Sequence, residues 1–161
     1  MGQESNSGCL GILIGLFGGK SSETQKNTDY PYGIRDNFLS AAELQVYQVL
    51  RRVIPEEWTV LAKVRIADIL YTKRPNENFG AQNKIQMKHV DFVLCEVETM
   101  KVLAAVELDD SSHNSPKTQK RDELVNGAFA AAGMPLIRFR VRAQYDANEV
   151  ANTITAALDL N

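Results

Sequence analysis

Residues 89–109 read H-V-D-F-V-L-C-E-V-E-T-M-K-V-L-A-A-V-E-L-D. Two runs rich in Val, Leu and Ala, Val90–Cys95 and Lys101–Asp109, flank a short polar break, so the segment reads as two strands joined in a hairpin. Successive strand residues point to opposite faces. Asp91 therefore shares a face with Val93 and Cys95, and Glu107 shares one with Leu103, Ala105 and Asp109. With the hairpin pivoting at Thr99, Asp91 stands opposite Glu107, where opposed Cβ atoms lie roughly 4.5–5.5 Å apart. Two like charges at that separation destabilise the pair unless a cation lies between them, and hard divalent ions take oxygen ligands. The other reading is a solvated face on which the acids only confer solubility. The apolar residues on either side of both acids favour the metal.

Outward from the hairpin, the remaining elements follow from periodicity and punctuation. Tyr47, Leu50 and Ile54, flanked by Val46 and Val53, predict a helix over about 40–53, which Pro55 stops. Ser40-Ala-Ala-Glu43 is a capping box, with Glu43 reaching back to the Ser40 backbone. At about 100° per residue Glu43 also falls in line with Tyr47, Leu50 and Ile54, so it is a candidate to line a site as well as to cap. Trp58–Leu70 predicts a first strand running into a turn or short helix. Residues 73–88, with Pro75, Asn76, Asn78, Gly80 and Asn83, read as a loop. Ser115 before Pro116 marks a helix start, and that helix runs to Ala132 and ends at Gly133. Met134–Val141 is a buried strand and Ala147–Leu158 a closing helix. The order αβββαβα predicts an α/β domain over 39–161, with a mixed central sheet flanked by helices.

The first 38 residues read as a leader: an apolar stretch, Gly8–Gly19, then a polar linker from Lys20 to Asp36. The apolar stretch is far short of the roughly 20 residues a spanning helix needs. No basic residue precedes it as in a secretory signal, Cys9 lies in the wrong order for a lipoprotein site, and Asn6 departs from the myristoylation pattern. A weak membrane or protein contact through residues 8–19 is the expectation that stays open. Cys9 and Cys95 are the two cysteines and show neither a disulfide framework nor zinc spacing, which fits a reducing, cytoplasmic setting.

A composition of 44% hydrophobic and 24% charged residues excludes a disordered or membrane-embedded chain, and the net charge of -2 gives no general attraction to nucleic acid. Its distribution is more informative. Residues 63–88 and 117–142 are predominantly basic, and 91–110 between them predominantly acidic. A metal site within a phosphate-binding surface has that pattern, as do ordinary solvated faces. Arg121 aligns with Val125, Ala128 and Ala132 on its helix, where it can pair the carboxylates, grip a phosphate or simply pack its stem. His113 follows Asp109 by four residues in a polar loop, as a candidate proton carrier or a surface residue.

Taken together, Glu43 on the first helix, Asp91 in H-V-D-F-V-L, the run V-E-L-D-D-S-S-H, the pair Arg121-Asp122 and the strand P-L-I-R-F-R resemble the restriction-endonuclease-like superfamily with its PD-(D/E)xK pattern. Within it they resemble the bacterial family known as domain of unknown function 2726, itself similar to the very-short-patch-repair endonucleases. The resemblance covers about residues 39–158. It implies metal ligation by Asp91 and Glu107, with Glu43 supporting through water. The superfamily's lysine, two residues after the second acid, is Asp109 here. Asp109 and His113 replace it in the short-patch-repair-like branch, or Lys120 or Arg121 supplies the positive charge. The implied activity is Mg²⁺- or Mn²⁺-dependent hydrolysis of DNA phosphodiester bonds, in repair or processing. Asp91, Glu107, Asp109, His113 and Glu43 are the expected catalytic set, and Lys117, Lys120 and Arg121 the expected DNA contacts. A non-catalytic module binding nucleic acid or protein is the rival expectation.

Overall fold

The computed structural model describes residues 30–109 and 115–159. All its regular elements lie in the compact unit Asn37–Asn161. In chain order they are α1 (Ala41–Val53), β1 (Trp58–Arg65), α2 (Ile66–Ile69), α3 (Ala81–Ile85), β2 (His89–Glu96), β3 (Val102–Asp109), α4 (Pro116–Ala132), β4 (Leu136–Arg140) and α5 (Ala147–Asp159). The strands form one sheet in the order β1-β2-β3-β4. β1, β2 and β3 are antiparallel neighbours, and β4 joins β3 in parallel after the α4 crossover. The domain is therefore mixed α/β, a four-stranded mixed sheet flanked by helices.

Both faces of the sheet are covered, which is why its central strands are almost continuously apolar. On one face α1 and α5 bring Val46, Leu50 and Ile154 onto Phe92, Leu94 and Val106. On the other, Val125 and Phe129 of α4 pack with Ile66, Val90, Val93 and Ala105. Leu50, Phe92 and Phe129 are essentially inaccessible to solvent. Burial of each such side chain is worth roughly 1.5–3 kcal/mol. Cys95 is a free thiol within the second cluster, and burial pushes it up from its ordinary pKa, so it acts as a small hydrophobe.

The helix ends follow their sequence signals. Ser40 caps α1 in a reciprocal capping box with Glu43, and Ser115 caps α4 ahead of Pro116. Gly133 ends α4 at φ 68°, a left-handed conformation that glycine adopts without a Cβ penalty. The first strand runs into a short helix, α2, as its sequence reads, whereas residues 73–88 differ from the sequence reading and carry α3 rather than a bare loop. Gly80 at φ 77° starts that turn, and Ile85 anchors it by burial beside Ile66 and Leu70. A single buried apolar residue is too little periodicity to announce a five-residue helix. Among the described residues no helix is long and apolar enough to cross a membrane; residues 8–19 lie outside them.

Candidate functional site

The hairpin register sets the site. Phe92 pairs Val106, Val93 pairs Ala105 and Leu94 pairs Ala104, the pairing of a hairpin that pivots at Thr99; a register shift between Leu94 and Cys95 alters it only near the turn. One step beyond Phe92–Val106, Asp91 and Glu107 are the next residues across from each other. Glu107 in turn pairs Arg138 on β4. On the other side, Ala62 pairs Phe92 and Val64 pairs Val90, which brackets Lys63 against Asp91. One level of the sheet thus carries a charged residue on every strand: Lys63, Asp91, Glu107 and Arg138, in the order plus, minus, minus, plus.

Lys63 stands in mid-strand at φ 56°. A non-glycine residue there costs on the order of 1–3 kcal/mol and persists only where its surroundings hold it. Its ammonium explains the hold. Lys63 Nζ donates to Glu43 Oε1 and lies 4.0 Å from Asp91 Oδ1. Glu43 is itself fixed by α1, since the Ser40 N–H donates to its Oε2 at 2.8 Å and its own N–H donates to Ser40 Oγ at 3.3 Å. Burial works against Glu43 ionising, but Lys63 and the Ser40 donors outweigh it and hold the carboxyl below its ordinary value.

Asp91 is half-buried, and its Oδ2 accepts the backbone N–H of Leu108 at 2.8 Å. That bond ties β2 to the stretch of β3 that bears Glu107 and Asp109. Burial pushes the Asp91 carboxyl above its ordinary value, and the Glu43 carboxylate alongside adds to this. Glu107 is 4% exposed, the one charged residue in the core among those described. Arg121 of α4 approaches its Oε1 at 3.3 Å and the His89 carbonyl at 3.4 Å through the same nitrogen. Burial nevertheless dominates: it raises the Glu107 carboxyl to about 7, with Asp91 adding and the Arg121 guanidinium only opposing. Two neighbouring carboxylates thus sit where ionisation is costly.

No group of three or more His, Cys, Asp and Glu placed to hold a metal ion occurs among the described residues. The donor set still fits one class of ion. Mg²⁺ keeps several waters and binds through one or two carboxylates, which Asp91 and Glu107 provide. Asp91 Oδ1 and Glu107 Oε2 are the oxygens not used in the bonds to Leu108 and Arg121.

The chain belongs to the family described as Protein of unknown function (DUF2726). The family model matches residues 35–158, which takes in every element of the fold except the last residue of α5, and every residue of the charged row. No curated protein and no solved structure matches the chain.

The remaining candidates fall in three places. Asp109 is paired to Arg138, which donates to its Oδ1. Arg138 also bonds Asn126 Oδ1 at 3.1 and 3.0 Å and lies 3.8 Å from Asp122. Arg121, whose sequence reading left carboxylate pairing, phosphate binding and stem packing open, pairs Glu107 and also Asp122 at 3.2 Å. Lys120 is exposed beside it, in a cleft lined by Lys88, His89 and Leu124. His113 lies outside the described residues, as does the side chain of Lys117. Lys63 and Arg138 were not among the candidates read from the sequence. Arg138 stands out as a charge inside the strand L-I-R-F-R. Lys63 becomes visible only once β1 is registered on β2, and no tight turn links those strands.

Proposed function

We propose that this domain is a divalent-metal-dependent nuclease that hydrolyses DNA phosphodiester bonds, on a restriction-endonuclease-like version of the mixed sheet. The observation that carries the reading is the pairing of Asp91 and Glu107 across β2 and β3, the first half-buried and the second buried, with Lys63 and Arg121 on either side. The strand order, with a meander followed by a parallel fourth strand and a helix on each side, is compatible with that superfamily. Mg²⁺ or Mn²⁺ bound at Asp91 and Glu107 supplies a Lewis acid for the scissile phosphate and an acidified water.

The chain's own groups divide the remaining work. Lys63 fills the electrostatic place of the lysine that the resemblance expects at position 109. It holds Glu43 and Asp91 and presents a cation at the acid pair from β1. Glu43 orients a water from the helix side. Arg121 keeps Glu107 in place, and its half-exposed guanidinium has donors left for a phosphate oxygen. Asp109, held by Arg138, orients water at the rim. His113 moves the proton, as an imidazole titrates in the working range. Lys117 and Lys120 grip the nucleic-acid backbone without reading its sequence.

One observation favours the rival, a binding module of the same fold. Lys63 and Arg121 already offset part of the negative charge without any metal. Titration of Mg²⁺ and Mn²⁺ with plasmid and single-stranded DNA decides between them. Metal-dependent cleavage that Asp91→Asn and Glu107→Gln abolish is the expected result. Metal-insensitive DNA binding with no cleavage at any concentration would overturn the nuclease in favour of the module.

A further inference from the structure

The segment between β1 and β2 presents a chemistry that the carboxylate site does not use. Tyr71, Phe79 and Met87 are 80%, 85% and 80% exposed. Three large apolar side chains exposed in one short stretch are more than the scattered single residues usual on a surface. Lys73, Arg74, Lys84 and Lys88 are interleaved with them in the sequence. The aromatic and basic side chains do not form an isolated patch. Tyr71, Lys73 and Lys84 line a cleft of about 790 Å³ against α4, where Gly127, Ala128 and Ala131 leave its wall low; Phe79 is not in the lining itself but follows the lining residue Asn78. A second cleft of about 690 Å³, holding Met87, Lys88, Lys120 and Arg121, shares Leu124 with the first. Arg121 is also the partner of Glu107. Adjoining at Leu124, the two clefts line a channel along α4 as far as Arg121, the residue that reaches Glu107.

We infer that this channel binds single-stranded nucleic acid and feeds it to the carboxylate site. The inference rests on the nuclease reading for its destination and on the channel alone for its ligand. Charge complementarity selects a polyanion: Lys73, Lys84, Lys88, Lys120 and Arg121 line the channel, with Glu123 opposing them, while Arg74 is paired to Glu77 at 3.0 Å. The exposed rings then select among polyanions. A duplex hides its base faces and offers phosphates to cations, so Tyr71 and Phe79 would have nothing to stack on. Unpaired bases stack on aromatic side chains irrespective of sequence, while a basic groove follows the backbone. Both deoxy and ribo strands carry that chemistry.

Fluorescence anisotropy with the full chain tests this. Labelled oligo-dT, oligo-U and a duplex of equal length are titrated in EDTA, so that binding is read without cleavage. Either single strand is expected to bind more tightly than the duplex. Tyr71→Ala and Phe79→Ala should each weaken strand binding by roughly 5- to 150-fold, with Tyr71→Trp restoring it. Lys84→Ala should reduce the slope of log affinity against log salt by about 0.7. Because all three side chains are exposed, unchanged melting temperatures are expected to accompany these losses. Equal binding of strand and duplex, or aromatic variants within twofold of wild type, would overturn the channel. So would binding to phosphatidylserine vesicles with none to either oligonucleotide. Cleavage of single-stranded DNA that both aromatic variants leave unchanged sinks the channel and spares the nuclease. Strand binding with no cleavage at any metal concentration supports the channel and removes the nuclease.

Discussion

The two ends of the β2–β3 hairpin carry similar charges in opposite circumstances. At the turn, Glu96 lies 3.8 Å from Lys101 and accepts the Thr99 hydroxyl at 2.6 Å, with the Lys101 side chain 70% exposed. Water screens that pair, and an exposed pair of this kind contributes about 0–1 kcal/mol. At the far end Asp91 and Glu107 are brought side by side, Glu107 buried, and burial raises both carboxyls. The turn end shows what these residue types do when they only confer solubility. The far end holds them at a standing cost, with Lys63 in a strained backbone conformation and α1 capped so that Glu43 joins them. A cost concentrated at one end of a hairpin whose other end avoids it points to a task there.

The largest effect expected from this contrast is on cleavage. Lys63→Ala removes the cation nearest Glu43 and Asp91, and a preorganised charge at the reacting centre is typically worth 10²–10³ in rate. Single-turnover cleavage by Lys63→Ala should fall by about that factor. Lys101→Ala, a lysine removed from the turn end, should cut at the wild-type rate. Equal rates in all three proteins would erase the distinction between the ends.

The second effect is on stability against pH. The Glu107 carboxyl titrates at about 7 in the folded protein, above its ordinary value of 4.5. The folded state therefore binds more protons than the unfolded one between these values. The contribution is fully present below about 4.5 and is lost as pH rises through 7, amounting to on the order of 3 kcal/mol. Glu107→Gln keeps the shape without the charge, so its denaturation free energy should lack this decline and exceed wild type at pH 8. Glu96→Gln should follow the wild-type curve. A Glu107→Gln curve parallel to wild type across this window would place Glu107 in a solvated setting and break the contrast.

Metal gives the next measure. An ion that binds only the folded state adds about 2.7 kcal/mol at a hundred times its dissociation constant. Thermal melts with Mg²⁺ or Mn²⁺ should show that gain in wild type and lose it in Asp91→Asn. A gain of equal size in Asp91→Asn would move the ion elsewhere in the domain.

How much of this was readable in advance differs between the two ends in an instructive way. A hairpin pivot sets its own register, so the placement of Asp91 against Glu107 followed from counting about Thr99. The shift at Leu94 and Cys95 did not, because nothing in V-L-C-E favours a bulge. Helix caps are equally local, and Ser40, Ser115 and Gly133 announced their roles. Lys63 and Arg138 reach the same level of the sheet through long connections, across residues 66–88 and across α4. Pairing over such distances depends on the whole packed core, and no short pattern encodes it. The pairing of Asp109 with Arg138 was hidden for the same reason.

The smallest expected effect tests whether capping and site are one device at Ser40. Ser40 and Ser115 both cap a helix by accepting an N–H three residues on, from Glu43 at 3.3 Å and from Thr118 at 3.2 Å. Replacing such a cap by alanine generally costs about 1 kcal/mol, so Ser40→Ala and Ser115→Ala should destabilise the domain by similar amounts. They differ in what the cap holds. The Ser40 backbone N–H still binds Glu43 in Ser40→Ala, but the reciprocal bond from the Glu43 N–H is gone and the first turn of α1 loosens. Glu43 then meets Lys63 and Asp91 in less defined geometry, and the hold of Lys63 on Asp91 weakens with it. Ser115→Ala removes a cap on a helix whose link to the acid pair runs through Arg121, more than a turn further on. Melts with and without Mg²⁺ separate the cases: both variants should lose about the same stability without metal, and only Ser40→Ala should also gain less from it. Equal metal gains would show that Glu43 caps α1 and does nothing more for the acid pair.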